Sequence, residues 1–156
     1  MLVPVINRIN FNGANIGDPF IYFGLVHVFE SIFEKKFEWL IIDKFDKGKS
    51  FERFLPEIKK EGFIIVGGTP QYNNLDDWSF WYDEGIWTDY IARHRLNAFT
   101  IAGGSGHPDP GISKEDFANY CAQSKRTKRM LELRERNSAL TTVRDIHSEA
   151  LLNKLN

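Results

Sequence analysis

The stretch Phe63-Ile64-Ile65-Val66-Gly67-Gly68-Thr69 joins four consecutive apolar residues to a pair of glycines. A solid apolar run rich in β-branched side chains is typical of a strand that is covered on both faces, as the strands of a parallel sheet are. The glycines have no Cβ, so the backbone can turn with positive φ and a ligand can approach it closely. The stretch therefore predicts a central parallel strand that ends either in a tight turn or at a binding surface.

Four more apolar runs occur along the chain, and helical patterns separate them. The runs are Leu2 to Ile6, Glu38 to Ile42, Ala98 to Ala102 and Ala139 to Val143. The predicted helices are Pro19 to Phe33, Ser50 to Lys60, Asp76 to Arg95, Ser113 to Arg136 and His147 to Leu155. This alternation predicts one Rossmann-like α/β domain over residues 1–156, with about five parallel strands and helices on both faces in three layers.

The composition limits the class of protein. Of the 156 residues 42% are hydrophobic and 26% are charged, and the net charge of −1 gives no reason to expect nucleic acid or an anionic membrane as partner. The lone Cys121 excludes an internal disulfide and favours a reducing compartment. Since no apolar run approaches the roughly 20 residues of a membrane helix, we expect a cytoplasmic protein without a transmembrane segment. We expect no metal, because no cluster of His, Asp and Glu has ligand spacing.

The carboxyl ends of the predicted strands are the expected place for a ligand, because parallel α/β sheets bind ligands there. Two of these ends carry glycine pairs, which suit a phosphate or sugar lying over backbone N–H groups. A tight turn explains either pair alone. The candidate substrate-binding residues at these ends are Asn15, Gly17, Gly67, Gly68, Thr69, Gly103, Gly104, Ser105 and His107.

Arg144 and Asp18 are the two charged candidates. Arg144 follows an apolar run and is expected at the rim of the sheet, where its planar guanidinium suits a carboxylate or phosphate. A salt bridge to Asp145 or to another nearby acid is the alternative. Asp18 precedes Pro19 and fits a helix N-cap, which would occupy the N–H groups that a phosphate would need.

The aromatic helix predicted over Asp76 to Arg95 has two interpretations. Trp78 and Trp81 are three residues apart and would share one face, which could stack on a sugar. Packing in the core or in a partner interface is the more ordinary role of such side chains.

Several of these motifs occur in the same order as in polysaccharide pyruvyl transferases. They are Asn15-Ile16-Gly17-Asp18 opening a helix, Gly67-Gly68-Thr69 and Gly103-Gly104-Ser105-Gly106 after strands, and Thr141 to Ser148 followed by Leu151-Leu152. The chain resembles the N-terminal Rossmann-like half of these GT-B-like enzymes. The family commonly has a third glycine where this chain has Thr69.

The resemblance implies a transferase that moves the enolpyruvyl group of phosphoenolpyruvate onto a pair of sugar hydroxyls in polysaccharide or cell-surface glycan biosynthesis. It implies catalytic roles for Asp18, as the base that takes a hydroxyl proton, and for Arg144, as the group that holds the anion. Phosphoenolpyruvate is then the donor substrate, a sugar or glycan is the acceptor, and no cofactor is expected. A C-terminal domain that supplies the other half of the cleft, or a homo-oligomer, is the expected partner.

Two other functions fit the same residues. One is a non-catalytic module that binds a phosphate or sugar phosphate at the glycine-bearing edge. The other is a structural α/β domain that binds a partner through the exposed part of its aromatic helix.

Overall fold

Six parallel strands form one sheet in the computed structural model, which describes residues 1–7, 17–67, 70–76, 83–106, 109 and 111–155. The strands are β1 (Leu2–Asn7), β2 (Glu38–Asp43), β3 (Phe63–Gly67), β4 (Pro70–Tyr72), β5 (Asn97–Ser105) and β6 (Ser138–Val143). The sheet confirms the predicted Rossmann-like α/β class, and five of its strands correspond to the five apolar runs.

Strand β5 has three partners. Its residues 97–101 pair with β3 and its residues 104 and 105 pair with β4, so these two short strands follow one another along the same edge of β5. Strand β6 pairs with residues 98–103 and so lies on the opposite edge. With β1 between β2 and β3, the main strands run in the order β2-β1-β3-β5-β6. This is a doubly wound order, in which helices lie on both faces.

Seven helices are present among the described residues. They are α1 (Gly17–Phe33), α2 (Lys49–Arg53), α3 (Leu55–Glu61), α4 (Asp83–His94), α5 (Lys114–Gln123), α6 (Lys125–Arg136) and α7 (Ile146–Leu155).

Two helices predicted as continuous are each broken in two. The helix predicted from Ser50 is interrupted at Phe54, because Pro56 lies in the first turn of α3, where its missing N–H costs no hydrogen bond. The helix predicted from Ser113 is interrupted at Ser124, which has extended backbone and accepts a hydrogen bond from the N–H of Thr127 at 3.0 Å. Ser124 thus ends α5 and caps α6.

Two helices are predicted to begin at Ser113 and at Asp76, and the two predictions have different outcomes. Ser113 accepts a hydrogen bond from the N–H of Asp116 at 3.1 Å, which confirms the predicted cap of α5. Asp76 lies in a turn, and the described part of the aromatic helix begins at Asp83.

Alternating side chains of the strands enter two separate cores. Ile64 and Val66 pack on one face with residues of α2, α3 and α4, including the buried Trp87. Ile65 packs on the other face beneath α1, against Leu25. The described aromatic helix therefore contributes to the core, while Trp78 and Trp81 lie outside the described residues.

Strand β6 is more exposed than the sequence predicts. The run Ala139 to Val143 is predicted to be covered on both faces, but β6 lies at an edge of the sheet and Leu140 is 47% exposed. The helix that follows it, α7, packs mainly against α5, around the buried side chains of Phe117 and Leu151.

Cys121 lies fully buried in this third cluster, and burial raises the pKa of its thiol to about 12. Because the thiolate is the reactive species, we expect no reaction with a disulfide reagent at about pH 8 in the folded protein. One equivalent should react in denaturant. Spectrophotometric thiol titration checks this, and full labelling of the native protein would contradict the packing described here.

Candidate functional site

All the strands point in the same direction, so their carboxyl ends meet at one edge of the sheet. Strands β1, β2, β3, β5 and β6 end there at Asn7, Asp43, Gly67, Ser105 and Val143. Helices α1 and α7 both start at this edge. We call it the carboxyl edge, and it is the candidate site because crossover helices cover the faces of the sheet and leave this edge accessible.

Asp18 lies at the carboxyl edge in a buried ion pair. Helix α1 begins at Gly17, so Asp18 lies inside the first turn, and the N-cap position predicted for it is wrong. Its Oδ1 accepts a hydrogen bond from Nζ of Lys44 at 2.8 Å, and both side chains are 5% exposed. A carboxylate in the first turn also suits the positive end of the helix dipole. The pair fastens the start of α1 to the end of β2.

Lys44 is itself held by its backbone. Its N–H donates to the carbonyl of Asn7 at 3.2 Å, and its carbonyl accepts from Nε1 of Trp87 at 3.2 Å. Lys44 is not among the residues predicted from the sequence. The available signal was its place directly after the second strand, which is the one end among the five predicted strands with neither a glycine nor an arginine.

Protein side chains fill the space over two glycines at the carboxyl edge. A Cβ at Gly67 would meet Cδ1 of Leu25 at 2.7 Å, and a Cβ at Gly103 would meet Cε2 of Tyr72 at 2.8 Å. Positive φ occurs among the described glycines at Gly48 and Gly62 instead, so Gly67 and Gly103 do not form the left-handed turns expected of them. These two glycines allow close packing against the strands.

Arg144 takes the corresponding space at Gly104. A Cβ at Gly104 would overlap the guanidinium of Arg144, so this side chain lies directly over Gly104 of β5. The N–H of Arg144 donates to the carbonyl of Gly103 at 3.0 Å, which continues the pairing of β6 with β5 by one residue. The side chain is exposed at the carboxyl edge, as predicted.

The carboxylate of Asp145 joins the end of β5 to the start of α7. Its Oδ2 accepts from the N–H of Ser105 at 2.8 Å, and its Oδ1 accepts from the N–H and hydroxyl of Ser148 at 2.8 and 2.9 Å. Burial alone raises the pKa of Asp145, but the hydrogen bonds from Ser148 and Ser105 outweigh it and hold the pKa below the ordinary value. Asp145 is therefore a structural cap, and Ser105 serves that cap.

Two further features of this edge have no clear sequence signal. Ala102 has a φ of 52°, which is unusual for a residue with a side chain, and it lies where the pairing of β5 with β6 shifts register. Its N–H donates to the hydroxyl of Thr142 at 2.8 Å. Asn73 is fully buried beside Gly106, and neither amide atom has a hydrogen-bond partner within the described part of the chain.

The predicted site residues thus form two groups. Arg144, Gly104 and Ser105 lie together at the ends of β5 and β6, whereas Asp18 lies with Lys44 at the ends of β1 and β2. With neighbouring strands about 4.8 Å apart, the two groups are two to four strand spacings apart, or roughly 10 to 20 Å. The predicted residues Asn15, Gly68, Thr69 and His107 lie outside the described residues.

The fold defines a parallel, doubly wound α/β domain with its candidate site at the carboxyl edge. Comparison with family models, curated proteins and solved structures gave no match. Among the described helices none is long and apolar enough to cross a membrane. The described side chains include no group of three or more His, Cys, Asp or Glu that could hold a metal ion.

Replacing Lys44 by Met is expected to lower the free energy of unfolding by about 3 to 5 kcal/mol, because it leaves the Asp18 carboxylate buried without its cation. The double variant with Asp18→Asn should recover part of this loss. Urea denaturation measures both. Lys36→Met is the matched control, since the Lys36 side chain is 89% exposed in its pair with Glu30 and a surface pair contributes about 0 to 1 kcal/mol. Equal losses in the two lysine variants would contradict the buried pair.

Replacing Asp145 by Ala is expected to lower the free energy of unfolding by about 0.5 to 2 kcal/mol near neutral pH, because α7 loses its cap. The lowered pKa of Asp145 means that its contribution is present above the ordinary value of 3.8 and is lost as the pH falls through the folded value. The difference between wild type and variant should therefore shrink below about pH 4. Denaturation curves across pH check this, with the exposed Asp89→Ala as control. A difference that grows on acidification would show that the sign is wrong.

Proposed function

We propose that this chain is the anion-binding domain of a polysaccharide pyruvyl transferase-like enzyme, and that Arg144 holds phosphoenolpyruvate. The observation that carries the proposal is the exposed Arg144, whose guanidinium lies over Gly104 at the carboxyl edge. The ordered set of motifs that resembles this family supports it from the sequence.

Arg144 suits such a ligand for two physical reasons. A guanidinium presents parallel N–H donors that match two oxygens of a carboxylate or phosphate, and phosphoenolpyruvate carries both groups. The Arg144 side chain is also restricted before a ligand arrives, because it lies over Gly104 of β5 and because the next residue, Asp145, caps α7. Less conformational entropy is therefore lost on binding.

The proposed reaction joins two sugar hydroxyls to C2 of phosphoenolpyruvate. The first hydroxyl oxygen adds to C2 and releases its proton, and the methylene carbon becomes a methyl group by taking up that proton. The second hydroxyl oxygen then displaces phosphate from C2, and its proton leaves with the phosphate. The products are a pyruvate ketal and inorganic phosphate, so no oxidant, reductant or cofactor is required.

Arg144 contributes to this reaction by holding negative charge. The phosphate must leave as an anion, and a cation fixed beside it stabilises the charge that develops on the departing oxygens.

Asp18 receives a different role from the one that the resemblance implies. Its carboxylate is buried against Lys44, so a sugar hydroxyl could reach it only if that pair opened. We assign Asp18 to positioning the start of α1, and Arg144 alone to substrate contact.

Titration of phosphoenolpyruvate into the protein, followed by calorimetry, tests the binding step. Arg144→Gln should weaken binding by roughly 10- to 100-fold, because a hydrogen bond to a charged group contributes about 1.5 to 3 kcal/mol. Gly104→Ala should weaken it too, since the new methyl group displaces the guanidinium. Arg129→Gln, an exposed arginine on α6, is the matched control and should bind as wild type does. Equal affinity in wild type and Arg144→Gln would overturn the assignment.

The transfer step needs a separate measurement. Phosphate release from phosphoenolpyruvate should depend on an added sugar with two neighbouring hydroxyls, in the protein as its gene encodes it. Binding that requires Arg144 without release by any acceptor would favour the non-catalytic phosphate-binding module.

A further inference from the structure

Helix α1 is apolar on most of its circumference. Its inner side packs on the sheet through Leu25, yet Phe20 is 72% exposed, Phe23 is 55% exposed and Ile32 is 68% exposed. A helix that is hydrophobic nearly all round is normally buried on all sides. Among the described elements, only the sheet side of α1 is covered to any large extent.

An open apolar groove runs beside α1 along the same face of the sheet. Its volume is about 810 Å³, and its floor is formed by side chains of β3, β5 and β6 such as Phe99 and Ile101. Val28 and Ile32 of α1 form one wall. Arg144, at one end, has the one charged side chain among the described residues that line it.

The groove is open because α7 does not lie over it. In a doubly wound domain the helix after the last strand can cover the sheet face next to the first helix. Here α7 packs instead against α5, and Leu140 of β6 remains 47% exposed beside the groove. The vacant space is therefore elongated and parallel to a helix that is itself apolar.

We propose that a second copy of this chain covers the groove, in a two-fold dimer in which α1 of each copy lies in the groove of the other. The two α1 helices then run antiparallel and side by side, with Val28 and Ile32 of one copy against α1 of its partner. A two-fold arrangement covers both grooves and both helices at once, because the same surface is used on both copies. This proposal does not rest on the proposed function.

The exposed apolar area agrees with the size of a stable dimer interface. The apolar side chains left in solvent include Phe20 and Phe23, which lie on α1 outside the groove lining, and Val28, Ile32, Phe33 and Leu140, which line the groove. At about 200 Å² for each aromatic ring and about 100 Å² for each aliphatic side chain, their exposed fractions amount to roughly 500 Å². A standard interface buries about 800 Å² on each partner, of which about 57%, or roughly 450 Å², is apolar.

The length of α1 also fits the groove. Its 17 residues span about 25 Å at about 1.5 Å per residue. The groove is lined by α1 residues from Ile21 to Phe33, which is most of that length. A second α1 can therefore lie along the groove for nearly its whole extent.

Sedimentation velocity across about 1 to 100 µM protein tests the dimer. We expect wild type to be dimeric, and we expect Ile32→Asp to raise the dissociation constant by at least about 100-fold. Ile146→Asp is the matched control, because Ile146 is 59% exposed on α7 and is not part of the groove lining, so this variant should stay within about threefold of wild type. Both isoleucines are exposed, so neither change should unfold the chain, and protection of Cys121 from thiol reagents verifies this.

Oxidative cross-linking gives an independent measurement. Cys121 is buried, so a cysteine placed at Val28 is the one reactive thiol expected, and it should form a covalent dimer. A cysteine placed at Ile146 should not. A monomeric wild type over the whole concentration range, a dimer unaffected by Ile32→Asp, or failure of the Val28→Cys variant to cross-link would each overturn the proposal and assign the groove to a different occupant.

Discussion

The pairing of β5 with three other strands is the constraint on which the rest of the structure depends. Its first half must match β3 and β6 at the same time, and its last two residues must match β4. Against β6 the register of β5 shifts twice, between Ala98 and Phe99 and again between Thr100 and Gly103, and the second shift includes Ala102, which has left-handed backbone. The second shift restores the register of the first pair, because Gly103 lies opposite Val143 just as Ala98 lies opposite Ser138, and Gly104 then lies beside Arg144.

Much of the fold could be predicted from the sequence because apolar runs mark the strands, including the edge strand β6, whose run is not covered on both faces. Five such runs were enough to predict the parallel sheet. The breaks at Phe54 and Ser124 were harder to predict, since the helical periodicity of the flanking residues continues across them. Strand β4 is only three residues long, and such a segment carries too little periodicity for recognition.

The candidate site was predictable in location but not in organisation. The carboxyl-edge rule correctly located Arg144, because a strand end and the residue after it can both be recognised in the sequence. It did not find Lys44, because the partner of a buried carboxylate depends on which strand lies next to the first one. It also could not show that the space above Gly67 and Gly103 belongs to Leu25 and Tyr72, since a glycine has the same signal whether a ligand or a side chain lies over it.

The contact between Gly104 and Arg144 has a consequence for how this protein can change during evolution. The arginine can lie on the strand only while residue 104 lacks a side chain, and a lost arginine would leave an unfilled hollow over that glycine. A substitution at either position therefore changes the selective pressure on the other. Among descendants of this sequence, we expect the two positions to be inherited as a pair and to be lost together.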